Sequence, residues 1–129
     1  MADAMNTQRK PTLSVDFDGV LHSYRSGWMG ADVIADDPVP GAIEFLREAV
    51  KHFDVCIAST RNNTAEGVAE MRRWLISHGG LDIIESIRFP ILKVAALVYM
   101  DDRALQFKGE WPSMAELKEF KAWWDPSNG

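Results

Sequence analysis

Two aspartates, Asp16 and Asp18, stand one residue apart at the end of the apolar run "TLSVDF", and Gly19 follows at once. Carboxylates this close raise each other's proton affinity unless something positive stands between them. Three later places offer matching chemistry. "DVCIAS" ends at Ser59 and continues into Thr60 and Arg61, Lys93 precedes an apolar run, and "LVYM" ends at Asp101 and Asp102. A hard divalent cation gathers such groups: magnesium takes oxygen ligands, few of them protein carboxylates, and leaves room for waters and a substrate phosphate. Asp16 and Asp101 are the natural pair of ligands, with the backbone carbonyl of Asp18 as a third. Asp102 is either a partner of the ligands or a ligand through water.

With its charge compensated, Asp16 can attack phosphorus and form an aspartyl-phosphate. Asp18 would then protonate the leaving oxygen and later activate water. Gly19 permits a turn tight enough to aim both carboxylates into one pocket, and is expected to lie against the phosphate. Ser59 and Lys93 would hold the phosphoryl oxygens and offset their charge in the transition state. Thr60 competes with Ser59, because a one-residue change of register exchanges them. Arg61 either touches substrate or makes a structural salt bridge, and Arg88 and Lys108 are alternative cations to Lys93.

The elements that must position these groups can be read from periodicity. Residues 1–10 are polar and expected to form a loose, flexible tail, with a single domain over 11–129. Leu13, Val15 and Phe17 alternate as in a strand that stops at Gly19. The stretch of about 21–39 is rich in Gly, Ser, Asp and Pro and predicts a long loop or hairpin excursion, a flap whose Tyr24, Arg25 and Trp28 are candidate substrate contacts. Pro40 opens a helix whose one face holds Ile43, Leu46, Val50 and Phe53, and "DVCIAS" follows as a buried strand. Asn63 and Glu66 have capping-box spacing before a second helix with a stripe of Val68, Met71, Leu75 and His78, closed by Gly79 and Gly80. "LDIIESIRF" and "AALVYM" read as strands. Ser113 and Glu116 cap a last helix with Met114, Leu117, Phe120 and Trp124 on one face. This order predicts an α/β domain, a mostly parallel sheet with helices on both faces, whose ligands bind beyond the carboxyl ends of the strands. One difficulty stands out. If the last two strands flank the first on opposite sides, their link is only about Phe89 to Ala96, whereas a crossover normally takes a dozen residues or more.

The four groups together resemble the haloacid-dehalogenase-like (HAD) superfamily of aspartate-nucleophile phosphatases. "SVDFDGV" matches its D-x-D-G-[TV] motif, "DVCIAS" with Ser59 its second motif, Lys93 its isolated lysine, and "LVYMDD" its final acidic pair, in family order over about Pro11 to Asp102. The resemblance implies a Rossmann-like domain and phosphoryl transfer rather than halide displacement, since members that displace halide lack the second aspartate. From Asp18 to Ser59 and from Ser59 to Lys93 the chain has no room for an inserted cap domain, so it resembles the minimal, capless members.

Nineteen acidic against fourteen basic residues give a formal charge of −5, which argues against general nucleic-acid binding. The expected partner is a phosphorylated substrate, either a small molecule or the phosphorylated end of a larger one, met by a monomer or homo-oligomer. The single cysteine, Cys56, forms no internal disulfide and reads as core; no stretch is apolar and long enough for a signal peptide or a membrane span, so the expected location is cytoplasmic. His52 and His78 read as structural, and so does His22, with a place on the flap near the phosphate as its alternative; Trp111, Trp123 and Trp124 read first as packing for the last helix and second as a stacking surface for a base or sugar ring. The competing readings are a receiver-like phospho-acceptor module, whose adjacent acidic pair comes first rather than last, and a non-catalytic binding protein on the same fold.

Overall fold

The computed structural model describes residues 9–128, so all but the last two residues of the expected N-terminal tail lie outside the described residues. Four parallel strands form one sheet: β1 (Thr12–Asp16), β2 (Asp54–Ala58), β3 (Ile87–Arg88) and β4 (Val98–Met100), in the spatial order β3-β2-β1-β4. Helices α1 (Ala42–His52) and α2 (Ala65–Leu75) make the crossovers from β1 to β2 and from β2 to β3. Both move in the same direction across the sheet, and right-handed crossovers then put both helices on one face. The buried set agrees. Ile43 and Leu46 of α1 and Met71, Trp74 and Leu75 of α2 share one core with Leu13, Val15, Val55 and Ile57, the alternate residues of the two central strands. Among the described residues no helix is long and apolar enough to cross a membrane.

The opposite face carries Ser14, Cys56 and Tyr99, which are level in the register. There the expected helix is missing. The chain returns from β3 to β4 through an irregular segment, whose Pro90, Ile91, Leu92 and Lys93 line a groove with Ser14, Ala58 and Tyr99. Among the described residues, α1 and α2 both pack on one face, and no α-helix lines the groove on the other.

A short β3 makes this possible. "LDIIESIRF" supplies a 3₁₀ turn, Ile84–Ser86, and only two residues of strand. Ile87 is level with Val55, Val55 with Leu13, and Leu13 with Val98, so the chain leaves and re-enters the sheet at the same height. It must travel sideways past three strand spacings, roughly 15 Å, and nine residues reach up to about 30 Å.

Three further details differ from the sequence reading. The cap of α2 is Thr64, whose Oγ1 accepts from the Gly67 N–H at 3.0 Å; Asn63 closes the preceding 3₁₀ turn. Regular α geometry ends at Leu75 and a wider turn, Ile76–Gly80, carries His78 outward, so Trp74 takes the core place expected for His78. The capping box of Ser113 and Glu116 forms as expected, but it starts a helix α3 of only five residues, Met114–Lys118, with no buried side chain. Phe120 and Trp124 lie past its end, and Trp124 is used elsewhere.

Candidate active site

Sheet register assembles the acidic centre. Val15 pairs with Met100 and Asp16 with Ala58, so Asp101 emerges beside Asp16 on one side and Ser59 just beyond it on the other. Carboxylate oxygens of Asp16, Asp101 and Asp102 lie within 4.8 Å of one another. Asp16 accepts from the Phe17 N–H at 2.8 Å, and Asp101 from the Arg103 N–H at 2.8 Å. Burial, then a carboxyl–carboxylate hydrogen bond with Asp102 and the charges of Asp101 and Asp102, push the Asp16 carboxyl up to about 8, although the Phe17 N–H opposes the rise. Three hard oxygen donors this close, two of which disfavour the ionisation of Asp16, are a donor set suited to a divalent cation such as magnesium.

Asp18 stands apart from this cluster. Its carboxylate meets Arg61, with Nε 3.0 Å from Oδ2 and Nη2 3.1 Å from Oδ1, and it also accepts from His22 Nδ1 at 2.8 Å. The Asp36 N–H donates to His22 Nε2 at 3.1 Å, which leaves the ring proton on Nδ1, aimed at Asp18. Burial alone would raise Asp18, but the hydrogen bonds from His22 and Arg61 and the charge of Arg61 outweigh it and hold the carboxyl below its usual range. The side chain expected to carry a proton is therefore the one held ionised, and the proton sits more readily on Asp16.

Arg61 is fully buried, and its Nη1 reaches the carbonyls of Gly30, Ala31 and Val33 at 2.8–3.1 Å. Of the two alternatives for Arg61, the structural salt bridge is the one seen: the buried guanidinium is held by Asp18 and the flap. The flap is also closed at its base, where the Ser23 N–H donates to Asp37 O and the Val39 N–H to Leu21 O, at 2.9 and 2.8 Å. Gly19, expected near the phosphate, donates its N–H to His22 O at 2.8 Å and accepts from Trp123 Nε1 at 2.7 Å. Its φ of +84° suits glycine, and an added Cβ would overlap the Asp102 carboxylate and lie 2.6 Å from Trp124 Nε1.

Asp16 lies between two recesses. The smaller, about 190 Å³, is shared with Asp18, Ser59, Thr60, Asp102 and the rim residues Tyr24, Trp28 and Arg103. The larger, about 660 Å³, is the groove on the face opposite α1 and α2 and brings Lys93 and Asp101 to the same Asp16, Ser59 and Thr60. Ser59 Oγ accepts from the Arg61 N–H at 3.1 Å, which leaves its own proton free to be donated. Lys93 Nζ rests over the Tyr99 ring, 4.7 Å from its centroid.

No protein-family model matches the sequence, and no curated protein matches it as a relative.

Sequence reasoning passed over several members of this site. Trp124 donates from Nε1 to Asp102 Oδ2, and Arg103 lies over the Trp124 ring at 5.3 Å. His22 is buried, as a structural histidine would be, and is also the partner of Asp18. The four-residue spacing of Asp18 and His22 was the available signal, although a turn and not a helix brings them together. Cys56 is buried and free, as expected of core, and His52 is exposed and paired with Glu48 at 3.0 Å.

Proposed function

We propose that this protein is a magnesium-dependent phosphomonoester hydrolase of HAD-like type, working through an aspartyl-phosphate on Asp16. The observation that carries the reading is the convergence of Asp16, Asp101 and Asp102 within 4.8 Å at the carboxyl ends of adjacent parallel strands. Asp16, Asp101 and Asp102 would hold the cation, which when bound compensates the carboxylates and polarises the phosphoryl group.

The protein's own groups then divide the work. Asp16 Oδ forms a bond to phosphorus as the ester P–O bond breaks, and the departing oxygen takes a proton from the minor, protonated fraction of Asp18. The Asp18 carboxylate, now ionised and steadied by Arg61 and His22, takes a proton from water. That water oxygen bonds to phosphorus, the Asp16–phosphorus bond breaks, and inorganic phosphate leaves. The Ser59 or Thr60 hydroxyl and the Lys93 ammonium hold the phosphoryl oxygens as charge builds on them.

The test is phosphate release from an aryl phosphate with and without magnesium, for the wild type and Asp16→Asn. Release that needs magnesium and disappears in Asp16→Asn is the expected result. Full activity in Asp16→Asn would overturn the mechanism.

A further inference from the structure

We infer that Trp28 and Tyr24 form a stacking platform at the mouth of the small recess, and that the phosphomonoester it selects is a nucleoside monophosphate. The inference rests on the phosphatase reading and adds the class of leaving group.

The recess holds about 190 Å³, room for a phosphoryl group beside Asp16, and a leaving group that extends from it on the side away from Lys93 and the larger groove meets its aromatic lining. Asp16, Ser59 and Asp102 form the polar interior, while Tyr24 and Trp28 supply aromatic surface at the edge. Trp28 is held yet left 52% exposed. Its indole lies over the guanidinium of the fully buried Arg61, 4.8 Å to the ring centroid, and Arg61 also binds the carbonyls of Gly30 and Ala31 just after it. An indole fixed from beneath by a buried cation, with half its surface open, offers a planar ring a ready partner.

Tyr24 is pinned as well. It is the one non-glycine residue with positive φ among the described residues, at 63°, a conformation that costs energy and gathers at functional sites. Its ring stands edge-on to His22 at 5.9 Å and to Trp124 at 5.3 Å, so it keeps its place at the rim. A ring-bearing leaving group is thereby favoured over an aliphatic one. A single phosphate is also favoured over a polynucleotide, because an acidic centre in a chain of charge −5 offers few cations to a run of backbone phosphates.

Two measurements test this together. The first compares kcat/KM for adenosine monophosphate with that for glycerol phosphate. In wild type the nucleotide is preferred; Trp28→Ala should lower the ratio of the two about tenfold, in line with the stacking contribution of one base, and Trp28→Phe should restore most of it. The second is equilibrium dialysis of adenosine monophosphate with magnesium against Asp16→Asn, alone and combined with Trp28→Ala. Binding lost with Trp28 is expected. Such binding without phosphate release from wild type would leave the platform standing and overturn the phosphatase reading. Release without preference for the ring would do the reverse. A phosphorylated oligonucleotide turned over tenfold better than the mononucleotide, or no binding and no release at all, would overturn the inference.

Discussion

Arg61 and Asp18, forty-three residues apart in sequence, are locked together with Nε 3.0 Å from Oδ2 and with the guanidinium wholly buried. The same guanidinium holds three flap carbonyls, so one residue ties the first strand's carboxylate, the second strand's end and the loop that carries Trp28. Removing it would strand a largely buried carboxylate and three backbone acceptors. Arg61→Ala should cost about 3–5 kcal/mol of stability, the scale of a buried pair with one partner deleted. Arg61→Lys keeps the charge but not the fork, and should still be clearly destabilised. Chemical denaturation of the two variants checks both.

Asp16 links pH to stability in the metal-free protein. Its carboxyl is raised from 3.8 to about 8 in the folded state, so folding favours the protonated form. That contribution is complete below the unfolded value and is lost as pH rises through the folded one. Melting temperature without divalent cations should therefore fall between about pH 4 and pH 8, and Asp16→Asn should flatten the fall. Asp18 works with the opposite sign: its lowered carboxyl adds stability above pH 3.8 that is lost on acidification below it. Magnesium should restore stability most at the alkaline end, where Asp16 is ionised.

How far the sequence anticipates all this depends on which interactions are local. Asp16, Ser59 and Asp101 end apolar runs, and parallel pairing aligns such ends, so their meeting was legible. The sheet itself and the short link after Phe89 were visible too, the link as an unresolved difficulty. Thr64 replaces Asn63 as the cap because both can accept from the backbone, and only the path of the 3₁₀ turn decides between them. The pairing of Arg61 with Asp18, and of Trp124 with Asp102, joins side chains distant in sequence and leaves no periodic trace. Trp124 shows this most plainly. Its spacing from Phe120 and Leu117 fits a helical stripe, yet α3 stops at Lys118 and the indole reaches the acidic centre instead.

Gly19 tests how closely the centre is packed. Gly19→Ala would set a methyl against the Asp102 carboxylate and Trp124, at a φ that disfavours any side chain. The expected result is a loss of more than about 1 kcal/mol in stability, with weaker magnesium binding because Asp102 must move. Calorimetric titration with magnesium, beside a thermal melt, separates the two effects. Unchanged magnesium affinity would show that Asp102 does not belong to the cation's surroundings.

The partners of Asp18 make a prediction about leaving groups. Arg61 and His22 hold this carboxyl ionised, which suits the base that activates water and leaves little of the acid that must protonate a departing oxygen. An alkyl leaving group needs that proton and an acidic phenol does not. With saturating magnesium, kcat/KM for an alkyl phosphomonoester should fall about tenfold for each pH unit above the Asp18 pKa, while that for a nitrophenyl phosphate should fall far less. Asp18→Asn should abolish turnover of the alkyl ester and slow that of the aryl ester at its second step, where water must still be activated. A burst of phenol followed by slow turnover in Asp18→Asn would mark the aspartyl-phosphate accumulating. Parallel pH profiles for the two esters would instead mean that the proton comes from some group other than Asp18.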